Sequence, residues 1–238
     1  MEKHVLIVNM MLDPAMGDPV AQWSRYFRGV PYTSIHVPSG EAIPDFAEVT
    51  HVLLTGSEAS TLDPQPWMTV VAERIREAAE LGLPILGNCF GHQMIVWSLS
   101  GPAFTRHAPR PEVGWIEATI YEDDPLLAGV PRFWHAFALH LDEVCDLPSP
   151  WRTLAGNEAC AHQAIRFGES PIWGIQPHPE ATPEEAKRLL EVVRPLVARE
   201  MSQYLPQLLR AIGQRPRDDR AAQTIVDNFL SASDRRST

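Results

Sequence analysis

The feature that most limits what this chain can fold into is a short apolar run that recurs between turn residues. Val5-Leu6-Ile7-Val8 is aliphatic at every position. A run without polar alternation suits a strand buried on both faces, as in a parallel sheet covered by helices on each side. Runs of the same kind occupy residues 34–37, 51–54 and 83–86. Helix signals lie between them. Asp18-Pro19 supplies an N-cap and a proline at the first helical position for a helix over 18–28, stopped by Gly29. Residues 67–81 form an amphipathic pattern closed by Gly82. Strands alternating with helices predict an α/β fold built on a doubly wound, mostly parallel sheet with flanking helices.

The pattern changes after Gly101. Segments 115–120, 151–155 and 161–167 are short and strand-like with turn residues between them, and predict a small added antiparallel layer. Thr182-Pro183-Glu184-Glu185 then offers the cap, the first-turn proline and the capping-box glutamate of a helix start. That helix is expected to run toward Arg194, with Pro195 kinking or ending it. A second helical stretch is expected over 196–212, a last helix over 219–230, and a frayed end over 231–238. The expected organisation is one domain over 1–194 followed by a helical C-terminal extension over 195–238.

Several function classes are disfavoured by composition. A formal charge of −10 lacks the basic footprint that phosphate neutralisation needs, so nucleic acid is not an expected partner. The apolar stretch at 5–8 is too short for a signal core or a membrane span. Three cysteines, Cys89, Cys145 and Cys160, contain no C-x-x-C pair and fit neither a disulfide framework nor a zinc knuckle, which makes a reducing cytoplasm the expected compartment.

The strongest local signal is Gly87-Asn88-Cys89-Phe90-Gly91-His92-Gln93, placed between a predicted strand and a helix beginning near Gln93. A nucleophile on so sharp a turn has unusual backbone angles, and flanking glycines leave room for the close approach. The helix that follows aims free amides and the positive end of its dipole at the sulfur, which favours thiolate. A buried structural cysteine between incidental glycines would share the pattern.

The second signal is Gly174-Ile175-Gln176-Pro177-His178-Pro179-Glu180. Each proline holds the residue before it out of the helical region, so Gln176 and His178 are expected to be extended. Residues two apart in an extended segment share a side, which lets Glu180 orient the His178 ring while its other nitrogen faces Cys89. An H-x-E also occurs in zinc deaminases, but those need P-C-x-x-C downstream, and no cysteine follows Cys160. A histidine with a purely structural role would fit H-x-E alone.

Together these motifs resemble the class I (triad) glutamine amidotransferases, in particular the glutaminase domain of GMP synthetase and its stand-alone relatives, over roughly residues 50 to 182. The resemblance implies Cys89, His178 and Glu180 as the catalytic triad and no metal or organic cofactor. Thr55-Gly56-Ser57-Glu58-Ala59-Ser60 occupies the place of the family's oxyanion loop, and the resemblance implies the Ser57 and Phe90 amides as the oxyanion hole. Ser57 stands where the family has a second glycine and Glu58 where it has proline, so the angles available to Ser57 decide whether the hole is preformed. His140-Leu141-Asp142-Glu143-Val144 resembles the family's H-x-D-x-V segment. With Gln93 and Gly56, the resemblance sets His140 and Asp142 beside the substrate, although from its residues alone His140 is a polar strand-end residue. No role is assigned to His92, His107, His135 or His162.

The activity so implied is hydrolysis of the side-chain amide of L-glutamine through a γ-glutamyl thioester. The expected small-molecule partner is L-glutamine or a γ-glutamyl compound; the chain carries no phosphate-binding glycine loop, so an ATP-using synthetase would be a separate subunit, and the amphipathic stretch beyond residue 195 suits packing on the domain or on a second copy of the chain. The alternatives are a free-standing hydrolase of other γ-glutamyl amides or peptides, and a non-catalytic relative that binds glutamine or a partner.

Overall fold

The computed structural model describes residues 2–214 and 221–233. Its elements in chain order are β1 (Val5–Asn9), α1 (Pro19–Ser24), β2 (Tyr32–His36), β3 (His51–Leu54), α2 (Pro66–Glu80), β4 (Ile85–Asn88), α3 (Phe90–Ser100), β5 (Thr105–Ile120), β6 (Phe133–Val144), β7 (Trp151–Gly156), β8 (Ala164–Phe167), β9 (Ile172–Ile175), α4 (Pro183–Glu200), α5 (Leu205–Ile212) and α6 (Ala221–Ser231). The strands form one nine-stranded sheet in the order β2-β1-β3-β4-β9-β8-β7-β5-β6. Pairings from β2 through β9 are parallel, and those from β9 outward are antiparallel.

The α/β class is as expected, but the sheet is mixed rather than mostly parallel. The antiparallel strands are not an added layer; they continue the same sheet beyond β9, because β8 pairs with β9 along its free edge. β5 starts at Thr105 rather than Trp115, and β8 only at Ala164 rather than Ala161. β5 spans sixteen residues, its register shifting between His107 and Glu112, where Pro109 and Pro111 withhold ladder donors.

Burial follows the two-residue period of the strands. In β1, Leu6 and Val8 pack with Met68, Val71 and Ile75 of α2 and with Met94 and Ile95 of α3. Val5 and Ile7 face the other way, onto Trp23 of α1 and Ile225, Val226 and Phe229 of α6. Both faces of β1, β3 and β4 are therefore covered, which is why they read as apolar runs, whereas β2, at the sheet edge, is exposed at Tyr32, Thr33 and Ser34 and is not the buried run expected over 34–37. A third apolar cluster joins Val113 of β5 and Phe137 of β6 to Leu190, Val193 and Val197 of α4 and Leu208 of α5.

Some helix boundaries differ from those expected. α1 ends at Ser24, with only turns continuing to Gly29. α3 starts at Phe90, directly after Cys89, not near Gln93. α4 does not end at Arg194; it runs through Pro195 to Glu200. Pro195 lies on the exposed side, where water can serve the carbonyl left without a donor, while Leu190, Val193 and Val197 keep the inner side packed. A 3-10 turn at Ser202–Tyr204 then leads to α5. The expected start of the last helix at Asp219 and most of the expected frayed end fall outside the described residues, while Ser231 itself is helical. No helix among the described residues is long and apolar enough to cross a membrane.

Candidate active site

Cys89 sits at the junction of β4 and α3 with φ 49° and ψ −107°. Among the described residues the only other non-glycine positions with positive φ are Arg28 and Asp146. The flanking glycines are required by contact. A Cβ on Gly87 would lie 2.4 Å from the Gly91 carbonyl oxygen, and one on Gly91 would lie 2.5 Å from that of Leu54. The turn can form only where backbone meets backbone. The thiol is buried, and Phe90 as the first helical residue has an amide with no intrahelical acceptor, next to the sulfur.

The strand pair β4 and β9 brings the second motif to the first, with Asn88 opposite Ile175. The Cys89 amide donates to Ile175 O at 2.8 Å, and Asn88 Nδ2 to Pro177 O at 2.7 Å. His178 is extended, as its flanking prolines require, and its amide donates to Phe137 O at 2.6 Å in an isolated antiparallel bridge to β6. Nδ1 of His178 lies 2.7 Å from Oε1 of the buried Glu180. Burial pulls the His178 pKa down, but the Glu180 and Cys89 charges and their hydrogen bonds outweigh it and hold the ring well above the ordinary imidazole value.

The Gly56 loop closes over this pair. A Cβ on Gly56 would sit 3.0 Å from Cε1 of His178 and 3.5 Å from Cβ of Cys89. Ser57 does not adopt positive φ, so its side chain imposes no backbone strain there. Its Oγ accepts the Ala59 amide at 3.0 Å. Glu58 binds the loop to the segment after β1: its carboxylate accepts the amides of Leu12, at 3.1 Å, and Asp13.

On the far side of the sulfur, Gln93 is buried in the first turn of α3 and donates through Nε2 to Asp142 O at 3.0 Å and to Gln176 Oε1 at 3.3 Å. Gln176 in turn directs Nε2 at Cys89 Sγ, 3.5 Å away. Sequence reasoning passed over Gln176, although it stands inside the quoted motif, two residues before His178. It also passed over His107, whose Nδ1 lies 2.7 Å from Asp142 Oδ1; Ser60 Oγ donates to the other oxygen of that carboxylate. Nothing in the spacing of His107 signals this, because the contact depends on cross-strand register between β5 and β6.

His140 is not a strand-end residue. It lies within β6, buried, with Nδ1 3.0 Å from Asp142 O and Nε2 2.9 Å from Glu112 Oε2. Glu112, His140 and Cys160 form the one group of possible metal ligands among the described residues, their ligand atoms within 4.8 Å of one another. Glu112 is already engaged by Asn157 Nδ2 at 2.7 Å and Gln163 Nε2 at 2.6 Å as well as by His140, and burial pushes the Cys160 thiol up to about 12. The donor set therefore describes a hydrogen-bonded strut under β6. His92, packed against Gly174, is likewise internal, burial taking its pKa to about 3.

Gly56, Ser57, Cys89, Phe90, Gln93, His140, Asp142 and His178 all border one cavity of about 350 Å³, with Glu180 behind His178. Residues 26–192 match the sequence pattern of the family described as glutamine amidotransferase class-I. The chain belongs to the class-I glutamine amidotransferases. Among its curated relatives, a glutamine-hydrolyzing GMP synthase subunit from Pyrococcus abyssi is 37% identical over 106 residues, 44% of this chain and 55% of that protein. The corresponding GMP synthase subunit from Methanothermobacter thermautotrophicus is 30% identical over 146 residues, 61% of this chain and 77% of that protein. The chain thus spans little more than half the length of the first of these relatives. In fold it is similar to a glutamine amidotransferase from Thermotoga maritima, with a TM-score of 0.78 at 18% identity, covering 98% of this chain and all of that one. A glutamine amidotransferase from Methylobacillus flagellatus gives 0.76 at 20% identity, covering 99% and 96%.

Proposed function

We propose that this class-I amidotransferase hydrolyses the side-chain amide of L-glutamine with Cys89 as nucleophile, His178 as general acid and base, and Glu180 as the group that orients His178. The observation that carries this reading is the 2.7 Å contact between His178 Nδ1 and Glu180, at a ring whose other side meets the Cys89 elbow. The raised His178 pKa supports an imidazolium beside Cys89.

In the first step the Cys89 sulfur attacks the amide carbon, and the charge that develops on oxygen is met by the Ser57 and Phe90 amides. The C–N bond breaks as His178 gives its proton to the departing nitrogen, which leaves as ammonia. In the second step His178 takes a proton from water, the hydroxide attacks the thioester, and the C–S bond breaks to release glutamate and restore the thiolate. No part of this sequence calls on a metal or an organic cofactor. Gln93, Gly56, His140 and Asp142 form the side of the cavity that receives the amino-acid end, with Gln176 holding the sulfur's orientation.

The names of the curated relatives, GMP synthase subunits, favour a synthetase as ammonia acceptor. We place the enzyme in the cytoplasm on its three free cysteines. The segment over 195–238 is taken as an extension of the family domain, since the family match ends at residue 192.

Ammonia release from glutamine, measured for the wild type and Cys89→Ala with and without cell extract, tests the proposal. Release by the wild type alone is expected to vanish in Cys89→Ala. Equal rates in the two proteins would remove Cys89 from the mechanism, whereas activity only with extract would point to the partner synthetase.

A further inference from the structure

Resting on that reading of the triad, we infer that the site also hydrolyses γ-glutamyl amides whose amide nitrogen carries an apolar substituent, so that a primary amine leaves in place of ammonia. Two parts of the cavity differ in chemistry. Around Cys89 the wall is polar, made by the Gly56 loop, Gln93 and Asp142. The remainder is a lobe of Val113 and Leu139 from the β5 and β6 strands, Leu189, Val193 and Leu196 from α4, and Tyr204 after it. Leu196 is 42% exposed at this border, an apolar side chain left uncovered beside the lobe.

The lobe and His178 border the same cavity. His178 delivers the proton to the departing nitrogen, and the chain passes from Glu180 through the Thr182 cap directly into α4, whose inner face is the apolar wall. A substituent on that nitrogen would therefore extend from His178 along α4. Ammonia has no use for such a surface. At about 350 Å³ the cavity falls in the range of pockets that hold drug-sized ligands. An alkyl or aryl group would take up the lobe and gain by leaving water.

The chemistry balances as for glutamine. The C–S bond forms as the C–N bond breaks, the His178 proton goes to the substituted nitrogen, a neutral primary amine departs, and water cleaves the same γ-glutamyl thioester. Only the leaving group differs.

The test compares kcat/KM for L-glutamine, γ-glutamyl-benzylamide, γ-glutamyl-butylamide and γ-glutamyl-ethanolamide, with amine release followed directly. The two apolar amides are expected to exceed the ethanolamide by roughly tenfold. The ratio of benzylamide to glutamine activity is expected to fall by roughly tenfold in Leu196→Glu, a change at a part-exposed position, and in Leu189→Ala, which opens the lobe without adding charge. Hydrolysis of glutamine with all substituted amides inert, or with apolar and polar amides turned over alike, would overturn the inference and leave the glutaminase reading standing. Hydrolysis of none of the four by the wild type, with or without cell extract, would overturn both.

Discussion

Nδ1 of His178 stands 2.7 Å from Oε1 of Glu180, while Oε2 of the same carboxylate is buried without a partner. The carboxylate is thus committed to a single ring. Its removal in Glu180→Gln takes away a charge that raises the His178 pKa but leaves the burial that lowers it. The imidazolium is then lost at lower pH. The alkaline limb of the pH–rate profile is expected to move down, and kcat to fall by about 10²- to 10⁴-fold. A limb that stays in place would mean another group titrates there.

Stability should carry the same signature. The folded pKa of His178 lies above its unfolded value of about 6.5, so the pair's contribution is full below that pH, as long as Glu180 is ionised, and is lost as pH rises through the folded value. The difference in Tm between the wild type and Glu180→Gln is expected to be widest near pH 6 and to narrow in alkaline buffer. Thermal melts across that range measure it.

Gln176 Nε2 points at Cys89 Sγ, and Gln93 fixes which way the Gln176 amide faces. Gln176→Leu removes a donor from the sulfur while Gln93 keeps its bond to Asp142 O. Alkylation of Cys89 by iodoacetamide at neutral pH is expected to slow by roughly tenfold, with a similar loss in kcat.

Glu58 tethers the Gly56 loop by accepting the Leu12 and Asp13 amides. In Glu58→Ala the Ser57 amide loses its fixed position, and kcat is expected to fall roughly tenfold with little change in KM, because the loss is felt as charge develops on oxygen. Glu58→Gln keeps one acceptor oxygen and should recover part of the rate.

Gly91→Ala sets a methyl group 2.5 Å from the Leu54 carbonyl, a backbone atom that cannot turn aside. Overpacking of this kind costs about 1–3 kcal/mol or more. A drop in Tm of about 5 to 10 °C, read by calorimetry, is expected, along with loss of activity as the elbow shifts.

The central strands were legible because burial on both faces leaves no choice but apolar residues: the run at 51–54 is β3, and 83–86 overlaps β4. The antiparallel arm was less so. Phe133 to Val144 mixes exposed and buried positions without regular alternation, and prolines at 109 and 111 argue against a strand that a register shift in fact tolerates. At the site, Cys89 and His178-Pro179-Glu180 announce themselves because backbone strain and proline restriction are written in neighbouring residues. Gln176, Glu58 and His107 act through partners far away in the chain, and no local pattern encodes those contacts.

Because Cys89 leaves β4 as His178 leaves β9, and the two strands pair side by side, the proposed nucleophile and base meet only when two stretches remote in sequence have zipped together. Closing so large a loop is among the slower events in building such a sheet. Recovery of enzymatic activity after dilution from denaturant would thus time the docking of the sheet's middle pair, making catalysis a clock for that pairing.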